Sequence, residues 1–193
     1  MKKNESKRDA IISAASKLFW EKGYESTSPN DVLKRSGAGK GSLYHHFDGK
    51  VELGVSVLEQ ISEDLILDAE SYLGEPEASL FEIKSFLLKD RQALKGCKLG
   101  RLANEHSILT DERLIAPLQK YFERMLALIE KCLNKAIEMD EISSSVNISK
   151  IATLIVSAIQ GGYVLTRVSQ NEEMIRLACE GAWELLSFNG SKA

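Results

Sequence analysis

The sequence predicts an all-α protein, and three observations carry that reading. Apolar residues recur at helical spacing along nearly the whole chain, no stretch alternates with the period of two that marks a strand, and capping or breaking residues stand wherever the periodicity lapses. The 193 residues suffice for one large or two small domains, and a 44% hydrophobic content is ordinary for a globular protein.

The first helix is expected from Ser6 to Gly23, where Ile11, Ala14, Ala15, Leu18 and Phe19 make one apolar stripe and Gly23 stops it. Ser28-Pro29-Asn30-Asp31 starts the second: a capping hydroxyl, proline at the first helical position and an acid in the first turn. It carries Val32 and Leu33 and ends at Ser36-Gly37. The turn Gly37-Ala38-Gly39 then leads into a third helix whose Leu43 and Phe47, four apart, share a face. Helix, short glycine turn and helix form a helix-turn-helix. Asp48-Gly49 ends the third helix, and Lys50 opens a fourth running to Leu73 with Leu53, Val57, Ile61, Leu65 and Tyr72 near one stripe. A fifth is expected over Ser79–Leu94, with Leu80, Ile83, Phe86, Leu87 and Leu94 apolar, and a sixth over Cys97–Ser107. Thr110-Asp111-Glu112 caps a long seventh, to about Met139, in which Pro117 marks a kink or the true first turn. Its apolar face reads Leu118, Phe122, Met125, Leu126, Ile129 and Leu133. Asn147 caps an eighth, Ile148–Ser169, which is apolar almost all round; the ninth, Glu172–Phe188, repeats small and apolar residues from Ile175 to Leu186. A helix without a solvent face must be covered on both sides. These last two helices therefore suggest a self-association surface, a two-fold four-helix bundle.

The net charge of −3 conceals an asymmetry. Residues 1–50 hold ten Lys and Arg against six Asp and Glu, while the rest of the chain is acidic. In the basic head, Lys40, Ser42, Tyr44, His45 and His46 turn away from the Leu43 and Phe47 face. A short helix with two apolar anchors and a donor-rich outer side suits the floor of a DNA groove. No apolar run reaches the length of a bilayer span, and Met1-Lys2-Lys3-Asn4-Glu5 lacks the core of a signal peptide, so a cytoplasmic protein with no membrane partner is expected. Cys97, Cys132 and Cys179 fit neither a disulfide framework nor zinc spacing and are expected to be reduced thiols. No catalytic triad, acid pair, metal set or phosphate-cradling loop stands out, so neither enzyme activity nor a cofactor is expected.

With these residues laid out, the chain resembles the TetR family of transcriptional regulators. Phe19, Gly23, Val32, Gly37, Lys40-Gly41-Ser42-Leu43-Tyr44, His46-Phe47 and Lys50 fall where that family has them; Gly39 and Asp48-Gly49 depart from its usual residues. The resemblance implies a three-helix DNA-binding head, here residues 1–49, and a ligand-binding and dimerisation body of about six helices, residues 50–193. A second stretch, Gly96-Cys97-Lys98-Leu99-Gly100-Arg101-Leu102-Ala103-Asn104-Glu105, is similar to a subgroup that includes NemR and YxaF, which respond to reactive or hydrophobic small molecules.

On that resemblance and the helix geometry, Ser28 and Asn30 lie where a helix N-terminus favours phosphate, and Lys50 is a further phosphate contact. Lys40, Gly41, Ser42 and His45 are candidate base readers, with Tyr44 and His46 on phosphates. Phe86, Cys97, Leu99, Leu102, Tyr121, Met125, Tyr163 and Arg167 are candidates to line an effector cavity; the alternative for each is plain core. Cys97 reads either as a thiolate sensor beside Lys98 or as a small packed residue. Glu105 and His106 could orient a polar group of the effector or simply face solvent. The function implied is a homodimeric DNA-binding regulator, more specifically a repressor. It binds a near-palindromic double-stranded operator and is released by a small hydrophobic or reactive effector. The rivals are an enzyme and a helical interaction module without DNA binding.

Overall fold

Ser6 and Gly23 bracket the first helix by the chemistry of helix ends. In the computed structural model, which describes residues 6–188, the Ser6 hydroxyl accepts the Asp9 N–H at 3.1 Å and α1 runs Lys7–Lys22. Gly23, at φ +92°, donates its N–H to the Phe19 carbonyl at 2.9 Å. The stretch read for a leader, Met1–Glu5, lies outside the described residues. No strand occurs among them.

The described chain forms two compact units. One holds residues up to Glu63 with Lys98–Lys120; the other holds Asp64–Cys97 with the residues from Tyr121 onward. The head expected over 1–49 therefore sits inside a larger first unit.

In that first unit α2 spans Pro29–Ser36 and α3 spans Lys40–His46. Ser28 and Asp31 form a reciprocal cap: the Ser28 hydroxyl accepts the Asp31 N–H at 3.2 Å, and Asp31 accepts the Ser28 N–H at 2.8 Å. Lys22 closes on the same carboxylate at 2.8 Å. Gly37, left-handed at φ +68°, ends α2 and lets the chain turn into α3. Both α2 and α3 pack on α1, whose Ile11, Ile12, Ala14, Ala15, Leu18 and Phe19 are buried. Leu43 and Phe47 are 1% and 2% exposed, so the anchors read from sequence do face inward. The Arg8 guanidinium lies over the Phe47 ring at 5.4 Å.

The helix α4 runs Lys50–Leu73 as expected, but its covered face changes along its length. Leu53, Val57, Leu58 and Ile61 are buried in the first unit, and Ile66, Ala69 and Leu73 in the second, so Leu65 and Tyr72 are only half-buried.

Two expected boundaries shift, each for a local reason, and the cap at Thr110-Asp111-Glu112 settles the place of Pro117. The fifth helix stops early: α5 is Leu80–Leu88, and a 3₁₀ turn, Ala93–Lys95, follows with Leu94 exposed. Arg91 donates to the Phe86, Leu87 and Lys89 carbonyls at 2.5, 2.7 and 2.9 Å, satisfying the helix end from outside. The single helix expected over Cys97–Ser107 is two, α6 (Lys98–Leu102) and α7 (His106–Thr110), with Glu105 in extended backbone between them. The next helix, α8, begins at Glu112, with Asp111 accepting the Arg113 N–H at 3.0 Å, so Pro117 lies inside it and not in its first turn. Its buried seam is Leu118, Tyr121, Met125, Leu128, Ile129, Cys132 and Leu133, which leaves Phe122 and Leu126 at the margin.

In the second unit α9 (Ile148–Ser169) and α10 (Glu173–Phe188) form a tight hairpin. A Cβ on Gly162 would stand 3.0 Å from the Ile175 Cα, and the Thr166 hydroxyl accepts the Ile175 N–H at 3.1 Å. Helix α9 is long and apolar enough to count as a membrane span by length and mean composition, although no unbroken apolar run in it reaches that length. Counting the helix whole admits Gln160, Thr166 and the glycines, where an unbroken apolar run does not. Within one chain α9 is covered on one side only: Leu154, Val164, Leu165 and Val168 are exposed, as are Leu177 and Leu185 on α10.

Two outcomes follow from the head. Leu43→Ala is expected to destabilise it by about 2–5 kcal/mol and Phe47→Ala by about 3–5 kcal/mol, measured by urea unfolding. Its bonds to Lys22 and Ser28 hold the Asp31 carboxyl well below the ordinary carboxylate range. That stabilisation is full above the unfolded value of about 3.9 and is lost as pH falls through the folded value. Asp31→Asn should therefore be less stable than wild type near pH 7, with the gap closing as the pH is taken below 4.

Candidate nucleic-acid interface

Six of the seven residues of α3 carry the outward face of the head. With Leu43 buried beneath them, Lys40, Gly41, Tyr44 and His45 are exposed and Ser42 and His46 half-buried. The Lys40 ammonium lies 6.0 Å from the centre of the Tyr44 ring, and the His45 and His46 rings meet edge-on at 5.0 Å. The helix N-terminus at Gly39 has no side-chain cap, so its first N–H groups stay open to an acceptor. This side offers ammonium, hydroxyl and imidazole groups and no carboxylate, a set suited to phosphate oxygens and base-edge acceptors.

The start of α2 is occupied by its own cap. Ser28 spends both its N–H and its hydroxyl on Asp31, while Asn30 is exposed beside it. Lys50 is turned inward in this structure. Its ammonium donates to the Glu25 carbonyl at 3.1 Å and lies 4.5 Å from the centre of the Tyr24 ring. Burial lowers its pKa, against the opposing pull of Glu105 and Glu25.

Glu105 is the residue whose place the sequence did not disclose. Half-buried, it is engaged within the chain: its Oε1 accepts the Tyr24 N–H at 3.0 Å and its Oε2 the Glu25 N–H at 2.6 Å. Glu25 returns the contact by accepting the Ser107 N–H at 2.8 Å, which holds its own carboxyl below the usual range. Arg101 donates to the Trp20 carbonyl, and Lys98 lies over the Trp20 ring at 5.2 Å. The α6–α7 stretch thus grips the turn between α1 and α2. Beside it Tyr24, Lys50, His106 and Arg113 line an open groove of about 790 Å³.

The residues expected to line an effector cavity separate. Phe86, Cys97, Tyr121 and Met125 are buried in the second unit, Tyr163 is half-buried there and Arg167 is exposed; Leu99 and Leu102 are buried in the first unit. Burial raises the pKa of Tyr121 and pushes Tyr163 up to about 12. The sequence reading missed the cations that accompany these rings. Lys89, paired with Asp68, lies 5.1 Å from the Tyr72 ring centre and 4.8 Å from that of Phe86, and Arg91 lies 5.4 Å from the Phe86 centre. Cys132 and Cys179 are buried and unreactive by environment, burial pushing the Cys132 thiol up to about 11. Among the described residues no three His, Cys, Asp or Glu side chains gather as a metal set.

The comparisons with known proteins agree with this arrangement. Residues 11–57 match the model of bacterial regulatory proteins of the tetR family, and residues 79–182 match that of the tetracyclin repressor-like C-terminal domain. The HTH-type transcriptional regulator YxaF of Bacillus subtilis (strain 168) is 32% identical over 180 residues, covering 90% of this chain and 91% of YxaF. The HTH-type transcriptional repressor DhaR of Mycobacterium sp. (strain GP1) is 24% identical over 86% of this chain and 85% of its own. The crystal structure of reduced E. coli NemR superposes with a TM-score of 0.79 at 20% identity, covering 91% of this chain and 94% of NemR; it shares the fold. Two matched domains and a relative of this similarity over nearly full length place the chain in the TetR family of DNA-binding transcriptional regulators.

Proposed function

We propose that this protein is a cytoplasmic, homodimeric repressor that leaves a near-palindromic operator when a small hydrophobic or reactive effector binds its second unit. The observation that carries the reading is the division of α3 into buried anchors, Leu43 and Phe47, and an exposed side of donors. Lys40, Gly41, Ser42 and His45 read base edges, and Tyr44, His46, Ser28, Asn30 and Lys50 hold phosphates, Lys50 after leaving the Glu25 carbonyl. Two such helices, one per protomer, enter successive major grooves about 34–36 Å apart. Repression draws support from DhaR, a repressor of similar sequence.

The dimer forms through α9 and α10, whose exposed Leu154, Val164, Leu165, Val168, Leu177 and Leu185 make an apolar face left uncovered in the single chain. The effector is held among Phe86, Cys97, Tyr121, Met125, Tyr163 and Arg167 of the second unit. Aromatic surfaces with a few polar groups favour a largely apolar guest. Its binding energy shifts the repressor toward a form with lower operator affinity.

A selection of genomic fragments on the purified protein supplies the operator and the first test, since recovery of no enriched site refutes the reading. On that operator Tyr44→Ala and Lys50→Ala should weaken binding about tenfold or more in a gel-shift titration without altering the dimer. Lys50→Ala should also lower the slope of log affinity against log salt by about 0.9. Val168→Glu should convert the dimer to a monomer in light scattering, because Val168 is 82% exposed in the single chain and belongs to the apolar face.

A further inference from the structure

We infer that Glu105 is a positioning residue for operator binding, its carboxylate setting the distance between the start of α2 and Lys50 by gripping the turn that joins α1 to α2. The inference rests on the placement of those two elements on the DNA face proposed above.

Two successive main-chain N–H groups, those of Tyr24 and Glu25, point at one carboxylate and meet one oxygen each, at 3.0 and 2.6 Å. Such a pair of amides is a small anion receptor, and here a side chain of the protein fills it. The fit demands a residue without a side chain at the preceding position: a Cβ on Gly23 would stand 2.5 Å from the Glu105 Oε1. Gly23 therefore serves the grip as well as the end of α1. The same turn is held at its other faces. Lys50 takes the Glu25 carbonyl, Ser107 donates to the Glu25 carboxylate, and the buried Thr27 hydroxyl donates to the Gly23 carbonyl at 2.6 Å. Glu25 is thus fixed through its N–H and its side chain, and through its carbonyl for as long as Lys50 is turned inward. Ser28, three residues on, begins α2.

Charge alone argues against an acid at this place. Glu105 and Glu25 both lie near Lys50, and an acid beside a phosphate-binding face opposes DNA. Removing that charge should strengthen DNA binding if Glu105 acts only through its field. If it acts through geometry, exchanging one carboxylate oxygen for an NH2 turns a donor toward one of the two N–H groups, loosens the turn and weakens binding. The two accounts predict opposite signs.

The experiment compares full-length wild type, Glu105→Gln, Glu105→Asp and Glu112→Gln on the selected operator, with amide exchange recorded at Tyr24 and Glu25. Glu105→Gln is expected to bind about tenfold more weakly with the wild-type salt slope, while exchange at both amides accelerates and the dimer persists. Glu105→Asp, one methylene short but still charged, should lose affinity too, and it carries the test if the amide variant does not fold. Glu112→Gln, an equal change of charge outside the grip, should bind as wild type or tighter. Wild-type or tighter binding by Glu105→Gln and Glu105→Asp overturns the inference, as does a loss that only tracks the unfolded fraction at the assay temperature. A wild-type protein that recovers no operator refutes the DNA-binding reading itself, which is a separate failure.

Discussion

A helix of seven residues cannot stand by itself in water, because nucleation costs more than so few hydrogen bonds return. The helix α3 of this protein exists because Leu43 and Phe47 are buried beneath it. Those two side chains hold α3 on α1 and determine which of its faces meets solvent, so that Lys40, Tyr44 and His45 stand outward together. Everything proposed about DNA depends on that orientation. A rotation of α3 by one residue, about 100°, would bring different groups outward and bury polar ones.

The first unit repeats one device: a polar side chain supplies the partner that a chain end or turn lacks. Asp31 does so for Ser28, and Glu105 does so for the turn at Tyr24. Arg91 does the same in the second unit for the last carbonyls of α5. Each substitution of a side chain for a missing backbone partner lets an element stop abruptly. Compact helical proteins need such stops wherever a connection must be short.

This device also explains what was legible in the sequence. Short-range signals were read correctly: the Ser6 and Ser28 caps, Gly37, the α1 stripe, the α3 anchors and the span of α9 all follow from residues within four positions of one another. The early end of α5 and the break between α6 and α7 were missed. The groups responsible point at main-chain atoms rather than at side chains of complementary type, and periodicity carries no trace of that. Glu105 bonds to residues 81 and 80 positions away, and no local pattern could have paired it. The effector-side residues were named for their chemistry alone. That chemistry finds aromatics that are covered in the fold, but not the Lys89 and Arg91 that lie over Phe86, since a basic residue near a helix end reads as solvated surface.

The close crossing at Gly162 has a consequence for how two chains meet. Because a side chain there would press on the Ile175 backbone, α9 and α10 can lie flush only as they do now, and each chain completes its half of the association surface before encountering another. For the dimer proposed above, assembly is then the docking of finished templates rather than mutual folding. An alteration buried wholly inside one subunit, as at Gly162, is then expected to abolish pairing without touching a single residue across the seam.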